Sequence, residues 1–467
     1  MTNFLTRQAR PRLIKLISII ALFIFMPFLI YASREIAILI TRASGIPASI
    51  VVNADRELET LDLSFYHAFT QGGEEKSDML KPILSSVGAL KPAIIRIDHL
   101  YDYYDVVGKS GGNLTFSWNR LDEAVNTIIS SGAKPLLAIS YMPQSLAKDG
   151  NIINQPDDWN DWAIVVQKTI EHFSGKSQRN ISGIYYEVWN EPDLSQFGSW
   201  KYYGEKNYLT LYKYASVGAN NASNVNQFYL GGPGTTGLYK EWILALVKSG
   251  YRIDFFSWHT FQRDPLKFAN DQEDIISWLL PYPKYTLLPI LITESGFTGD
   301  KSSGYGTLYA AAHTASVIRR LISGGPKYLF SFELKDGPNQ QSGDGWGLMT
   351  HEYNGSVKKP RYWIYSFIDT MSGKRLSLSG EGTWVTGFAS KNNGIIRVLL
   401  VNFDVNGTHS ETVPVIIGGL TPGSYSYRQK LFLGKDITRT EIISETSLEK
   451  QILMPSSGIM LLELTRN

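Results

Sequence analysis

Ile184-Tyr185-Tyr186-Glu187-Val188-Trp189-Asn190-Glu191-Pro192-Asp193 runs from an apolar, β-prone stretch straight into a turn built of an amide, an acid and a proline. Pro289-Ile290-Leu291-Ile292-Thr293-Glu294-Ser295-Gly296 repeats the pattern about a hundred residues later. Strands this apolar belong to a parallel sheet covered on both faces. In a closed parallel barrel, reactive groups stand where the strands end. An acid at the end of each of two such strands therefore decides how the rest of the chain is read.

Outward from these stretches, short β-type runs alternate with amphipathic segments from Leu61 to Met371. The runs are Leu61–Phe69, Ala93–Asp98, Leu136–Ser140, Ile184–Trp189, Phe228–Leu230, Phe255–Trp258, Pro289–Thr293 and Tyr328–Phe332. Helical patterns such as Leu121–Ser130, Trp159–Phe173, Tyr208–Ala222 and Leu308–Ser323 lie between them. Eight βα units predict a (β/α)8 TIM barrel rather than an open doubly wound sheet. Glu191 and Glu294 then follow the fourth and seventh strands, across the barrel mouth from each other. After Met371 the runs Gly394–Asn402, Glu411–Ile417, Ser424–Phe432 and Gly458–Leu464 are broken by turn residues with no helix between, which predicts a C-terminal all-β sandwich.

The other end of the chain differs again. Arg7, Arg10, Arg12 and Lys15 precede the uncharged stretch Leu16–Ser33, which reaches the roughly 18-residue threshold for crossing a bilayer. The basic flank predicts a cytoplasmic N-terminus and an exported remainder, anchored by a single N-terminal transmembrane segment. A cleaved signal peptide is the alternative, with Tyr31-Ala32-Ser33 near the cut and a secreted product. The expected layout is residues 1–33 as basic start and anchor, 34–60 as linker, 61–372 as catalytic barrel, and 373–467 as the sandwich.

Composition narrows the function. The 45 basic and 43 acidic residues give a formal charge of +2, which offers no footprint for nucleic acid. Cysteine is absent, so disulfides and thiolate chemistry are excluded, and the 7 histidines include no His-Glu-x-x-His spacing. No metal or organic cofactor is expected. The 11 Trp and 26 Tyr suit sugar sites, where a pyranose face stacks on a ring, although they also serve as bulky core residues.

Paired carboxylates suit glycoside hydrolysis. One carboxyl group must be protonated to deliver a proton to the leaving oxygen, and the other ionised to attack or stabilise the anomeric carbon. A lone Glu at a strand end is more often a solvated loop residue or an ion-pair partner. Here Asn190 sets an amide beside one acid, and the run before Glu294 is apolar from Pro289 to Ile292.

Tyr186-Glu187-Val188-Trp189-Asn190-Glu191-Pro192-Asp193 closely resembles the acid/base motif of glycoside hydrolase family 39. The likeness covers most of the barrel: Lys134-Pro135 through Ser140-Tyr141-Met142-Pro143, Leu230-Gly231-Gly232-Pro233, Phe255-Phe256-Ser257-Trp258-His259, and Gly345-Trp346-Gly347-Leu348 with Lys359-Pro360. The resemblance implies retaining chemistry, with Glu191 as acid/base and Glu294 as nucleophile. It also implies that Asn190 holds the sugar 2-hydroxyl, that His259 lines the reactive subsite, and that Arg96 keeps Glu294 ionised. Arg96 can equally be read as a structural ion pair and His259 as a core histidine. Asp98, His99, Tyr141, Trp346 and Glu333 are further candidates for sugar contacts at the rim.

Two departures set the chain apart from the xylosidase and iduronidase patterns. Phe261 stands where xylosidase relatives carry a tyrosine whose hydroxyl reaches the nucleophile, and Ser331-Phe332-Glu333-Leu334-Lys335-Asp336 differs from both patterns. A tethered barrel with a single sandwich is more similar to the members that cut exopolysaccharide during export. The expected partners are thus a polysaccharide or oligosaccharide and, through the N-terminal segment, a membrane.

Gly232-Pro233-Gly234-Thr235-Thr236-Gly237 matches a dinucleotide-binding fingerprint, and Asp254 lies about 20 positions beyond Gly234. An NAD-dependent oxidoreductase is the reading it supports. Asp254 precedes its apolar run rather than ending it, and the helix begins after the third glycine, so no helix N-terminus would lie under a pyrophosphate. The other rival is a carbohydrate-binding protein without turnover, for which neither glutamate would be required.

Overall fold

The computed structural model describes residues 45–301, 304–340 and 345–467. Eight parallel strands close into a barrel: Ala68–Gln71, Ile94–Ile97, Lys134–Ile139, Ile184–Val188, Phe228–Thr235, Phe255–Phe261, Ile290–Gly296 and Tyr328–Phe332. Each pairs with its neighbours in chain order, and the eighth closes on the first through Phe330 opposite Ala68. The first strand is shorter than expected. Asp62 accepts the amide of Ser64, and Ser64–Tyr66 forms a 3₁₀ turn, so pairing starts only at Ala68.

The helices form where apolar residues recur at helical spacing behind a cap. Asp158 caps Trp159–Ser174 by accepting from the Asn160 amide, and Asn207 caps Tyr208–Asn221 by accepting from that of Leu209. Their buried faces cover the outside of the barrel in one large core with the outward residues of the strands. The inward residues Ala68, Ile94, Leu136, Tyr185, Phe255, Leu291 and Phe330 form a separate apolar plug near the strand starts. That plug closes the bottom of the barrel, leaving chemistry to the other end.

Beyond the last barrel helix, Pro360–Ile368, lies an all-β domain. Its strands form one continuous nine-stranded ladder rather than two separate sheets, and all nine contribute to one core, most of them by alternate residues. Ile50–Thr60, expected as linker, is part of this domain. It pairs antiparallel with Lys374–Ser379 and parallel with Glu411–Gly418, burying Ile50, Val52 and Ala54. The domain holds the barrel through the helix Leu308–Leu321: Arg319 pairs with Glu381, and Tyr309 packs on Phe403 with ring centroids 5.0 Å apart.

Among the described residues no helix is long and apolar enough to cross a membrane, and the candidate anchor Leu16–Ser33 lies outside them.

Candidate active site

The fourth strand delivers two kinds of residue to the mouth. Glu187 lies on its inward face and is fully buried. Past Val188 the strand ends because Trp189 and Glu191 take left-handed backbone angles, φ 74° and 43°. Such angles cost L-residues energy and persist where their surroundings enforce them. Trp189 is enforced from one side, buried against Trp162 and Trp200 and donating its Nε1–H to the Phe197 carbonyl. The Glu191 amide is held by the Gly234 carbonyl at 2.9 Å. The twist turns Asn190 and Glu191 together into the mouth.

The seventh strand does the same through a slip in register. Pairing with the sixth strand passes from Ile292 opposite Trp258 to Glu294 opposite His259, an extra residue that presents both Thr293 and Glu294 to the interior. Thr293 donates to Glu187 Oε1 at 2.7 Å.

Arg96, from the second strand, ties these groups together. It is completely buried, and each guanidinium nitrogen has its own acceptor: Nε donates to Glu187 Oε2 at 2.7 Å, one terminal nitrogen to Glu294 Oε1 at 2.8 Å, and the other to Asn190 Oδ1 at 2.7 Å. The Asn190 amide nitrogen then donates to the Tyr141 hydroxyl at 2.8 Å. Across the mouth, His259 Nδ1 lies 2.9 Å from Glu191 Oε1 and 3.5 Å from Glu294 Oε2. The facing atoms of Glu191, His259 and Glu294 all fall within 4.8 Å of one another. Two glutamates about a hundred residues apart in the chain thus flank one small space.

The charges are coupled. Burial pushes the Glu294 carboxyl up to about 7, and Glu191 and Asp98 add to the rise against the pull of His259 and Arg96. Burial also opposes charge on Glu187, yet Arg96, His259 and the Ser257 and Thr293 hydroxyls hold its carboxyl below the ordinary range. Burial disfavours the His259 imidazolium, but Glu294 and Glu191 beside it raise it above the ordinary histidine value. A cation fits the spacing of Glu191, His259 and Glu294, but a dication there would face the Arg96 guanidinium, already 2.8 Å from Glu294.

The other sequence candidates are spread around the rim. His99 shares a hydrogen bond with Asp102 through Nδ1 at 2.7 Å and stacks on Tyr103. Glu333 is fully buried at the end of the eighth strand, its Oε2 accepting from Gln71 Nε2 at 2.8 Å and the Gly72 amide at 3.2 Å. Burial, reinforced by Glu74 and Asp336, lifts its carboxyl well above the ordinary range. Trp346 packs edge-on to Phe332, which in turn packs on Phe261, making an aromatic wall along one side of the mouth. Phe261 offers no hydroxyl, and Glu294 draws its support from Arg96 and His259 instead.

Glu187 is the residue sequence reading passed over. Its signal was a charge inside a strand otherwise apolar from Ile184 to Trp189, opposite another lone charge, Arg96, in Ala93–Ile97. The glycine-rich turn serves this buried acid. Gly234, at φ 60°, lies so close that a side chain there would begin 3.1 Å from the Glu187 carboxyl carbon. The helix that follows starts only at Lys240, and Asp254 pairs with Arg252 at 2.8 Å. The dinucleotide reading has no site here.

Residues 70–275 match the model of glycosyl hydrolases family 39. A β-xylosidase of Caldicellulosiruptor saccharolyticus is 25% identical over 344 residues, spanning 66% of this chain and 68% of that enzyme. Among solved structures, a monomeric β-xylosidase from Caulobacter crescentus superposes with a TM-score of 0.71 at 17% identity, covering 90% of this chain and 99% of the other. A GH39 enzyme from Xanthomonas axonopodis pv. citri gives 0.71 at 16% identity, covering 90% and 98%. The family model covers the barrel from its first strand to the helix after its sixth, and with the β-xylosidase relative and the shared fold it supports glycoside hydrolase family 39; the chain is a glycosidase.

Proposed function

We propose that the chain cleaves O-glycosidic bonds of an oligosaccharide or polysaccharide with retention of configuration, Glu191 serving as acid/base and Glu294 as nucleophile. The separation of the two carboxyl groups carries this reading. One oxygen of each carboxyl group lies within 4.8 Å of one of the other, an approach in keeping with the roughly 5–5.5 Å of retaining pairs rather than the roughly 6.5–9.5 Å of inverting ones.

In the first step the Glu294 carboxylate attacks the anomeric carbon while the Glu191 carboxyl gives its proton to the glycosidic oxygen. The C–O bond breaks, the alcohol leaves, and a glycosyl ester on Glu294 remains. In the second step Glu191, now a carboxylate, takes a proton from water as the water oxygen attacks the same carbon. The ester bond breaks and Glu294 recovers its charge. Arg96 supports that charge, while Asn190, with one amide hydrogen on Tyr141, turns the other toward the sugar 2-hydroxyl. His259 and Tyr141 line the subsite; Trp346, His99 and Glu333 shape its rim.

The relatives named β-xylosidases make xylosides the first compounds to try. Phe261 in place of a tyrosine argues that another sugar is preferred. The basic flank and apolar stretch Leu16–Ser33 support an exported enzyme held at the membrane. Monitoring the anomer first released, by NMR, tests the central point. Retention supports the reading, and inversion refutes it.

A further inference from the structure

Along each barrel strand alternate residues face inward, so a residue two places beyond an inward one faces the same way and nearer the mouth. Arg96 faces inward, onto Glu187, Glu294 and Asn190. Asp98 is two residues further on, and its charge acts on Arg96, Glu294 and Tyr141 alike. It is only 7% exposed, and its Oδ1 has no hydrogen-bond partner among the described residues. Leaving a buried acceptor unpaired is destabilising. Such a group calls for an explanation, and a ligand that brings the missing donor is one.

The neighbouring strand makes room for that donor. On the first strand Thr70 turns inward and donates to the Thr293 carbonyl at 2.7 Å, so Gly72 holds the mouth position and fills none of it. A side chain there would begin 3.0 Å from the Phe332 ring and 3.3 Å from Glu333 Oε2. Beyond Gly72, Glu333 presents an equally unpartnered Oε1. The Gln71 side chain and the Gly72 amide both donate to Oε2, which leaves Oε1 open toward the mouth. The rim from the eighth strand to the second therefore offers two buried carboxyl oxygens without partners among the described residues, separated by a glycine. Each nitrogen of Arg96 already donates once, to Glu187, Glu294 and Asn190.

We infer that Asp98 receives hydroxyl groups of the sugar lodged against Glu191 and Glu294, and that this subsite takes rings bearing no carboxylate, sulfate or phosphate. The inference rests on the retaining-glycosidase reading above. A neutral ring supplies O–H donors to Asp98. An anionic ring brings like charge against the buried Asp98 and the two glutamates.

The test begins with the parent enzyme and a panel of activated 2-fluoro glycosides, read by intact mass. If no ring labels the protein or is turned over, the glycosidase reading itself fails and this inference falls with it. For a ring that is accepted, kcat/KM is measured on the aryl glycoside, its monodeoxy analogues and the corresponding uronide. The parent should process the uronide at least roughly a hundredfold more slowly, and should lose most on removal of one particular hydroxyl. Asp98→Asn should cost roughly 10–100-fold on the full glycoside and much less on the analogue already lacking that hydroxyl. Equal losses on every analogue would make Asp98 structural and overturn the proposal. So would a parent enzyme that turns over the uronide as readily as the neutral sugar, a result needing no variant at all.

Discussion

Two layers inside one barrel, a single residue pair apart on the same strands, have opposite chemistry. Near the strand starts Ile94, Leu136, Tyr185, Phe255 and Leu291 pack into an apolar cluster, with Tyr229 and Tyr328 against it. Two residues further along, Arg96, Glu187, Ser257 and Thr293 form a layer joined by hydrogen bonds and charge. The apolar layer excludes water from below. The charged layer, satisfied almost entirely by itself, fixes the side chains that meet the substrate. Burial raises the stakes in both layers, since a lost methylene leaves a cavity and a lost partner leaves an unpaired charge.

The largest effect expected from breaking this pattern is Glu294→Gln, which should lower kcat by on the order of 10⁴ or more, since an amide cannot form the glycosyl ester. Glu191→Gln should divide substrates by leaving group, slowing poor ones strongly while sparing activated aryl glycosides. Equal losses on both would remove Glu191 from the acid/base role. Arg96→Met comes next. It strands Glu187 and Glu294 without their cation, and denaturant unfolding should show a loss of about 3–5 kcal/mol. In the apolar layer, Leu136→Ala should cost about 2–5 kcal/mol through its cavity. Where the variant is still folded, its leaving-group dependence should match the parent's, which is how the layers are told apart.

A pH profile sharpens the same contrast. Glu294 must be ionised to attack while Glu191 keeps its proton, and burial together with the Glu191 charge raises the Glu294 carboxyl, so kcat/KM should be bell-shaped with its acidic limb above the ordinary carboxylate value. The sign for stability is opposite. The folded state holds this proton more tightly than the unfolded chain, so Glu294 favours folding most at pH below the ordinary carboxylate value, and that contribution falls away up to about 7. The smallest effect belongs to Glu333→Gln. Because burial and the neighbouring acids favour the neutral form of Glu333, the neutral amide should change stability by less than about 1 kcal/mol at neutral pH.

Much of this was legible beforehand because local pattern and long-range role coincide in a βα barrel. An acid directly after an apolar run marks a strand end, and strand ends meet at the mouth, so Glu191 and Glu294 could be paired without knowing any distance. Glu187 was harder to see, since its importance lies in partners on the second and seventh strands that no local pattern names. Ile50–Thr60 was missed for a related reason. Its buried alternation at Ile50, Val52 and Ala54 is a proper strand signal, but it stands alone, and its partners Lys374–Ser379 and Glu411–Gly418 lie more than three hundred residues away. Leu61–Phe69 was read too long because Asp62 and Ser64, polar members of an apparent alternation, form a turn instead. A nine-stranded ladder and a two-sheet sandwich share the same alternation, so only pairing distinguishes them.

The measurement that bears most directly on the account is peptide mapping after trapping with an activated 2-fluoro glycoside. The account predicts one sugar on one peptide, esterified to Glu294, and no label on Glu294→Gln. A sugar found on any other side chain, or turnover that continues undiminished in that variant, would contradict it.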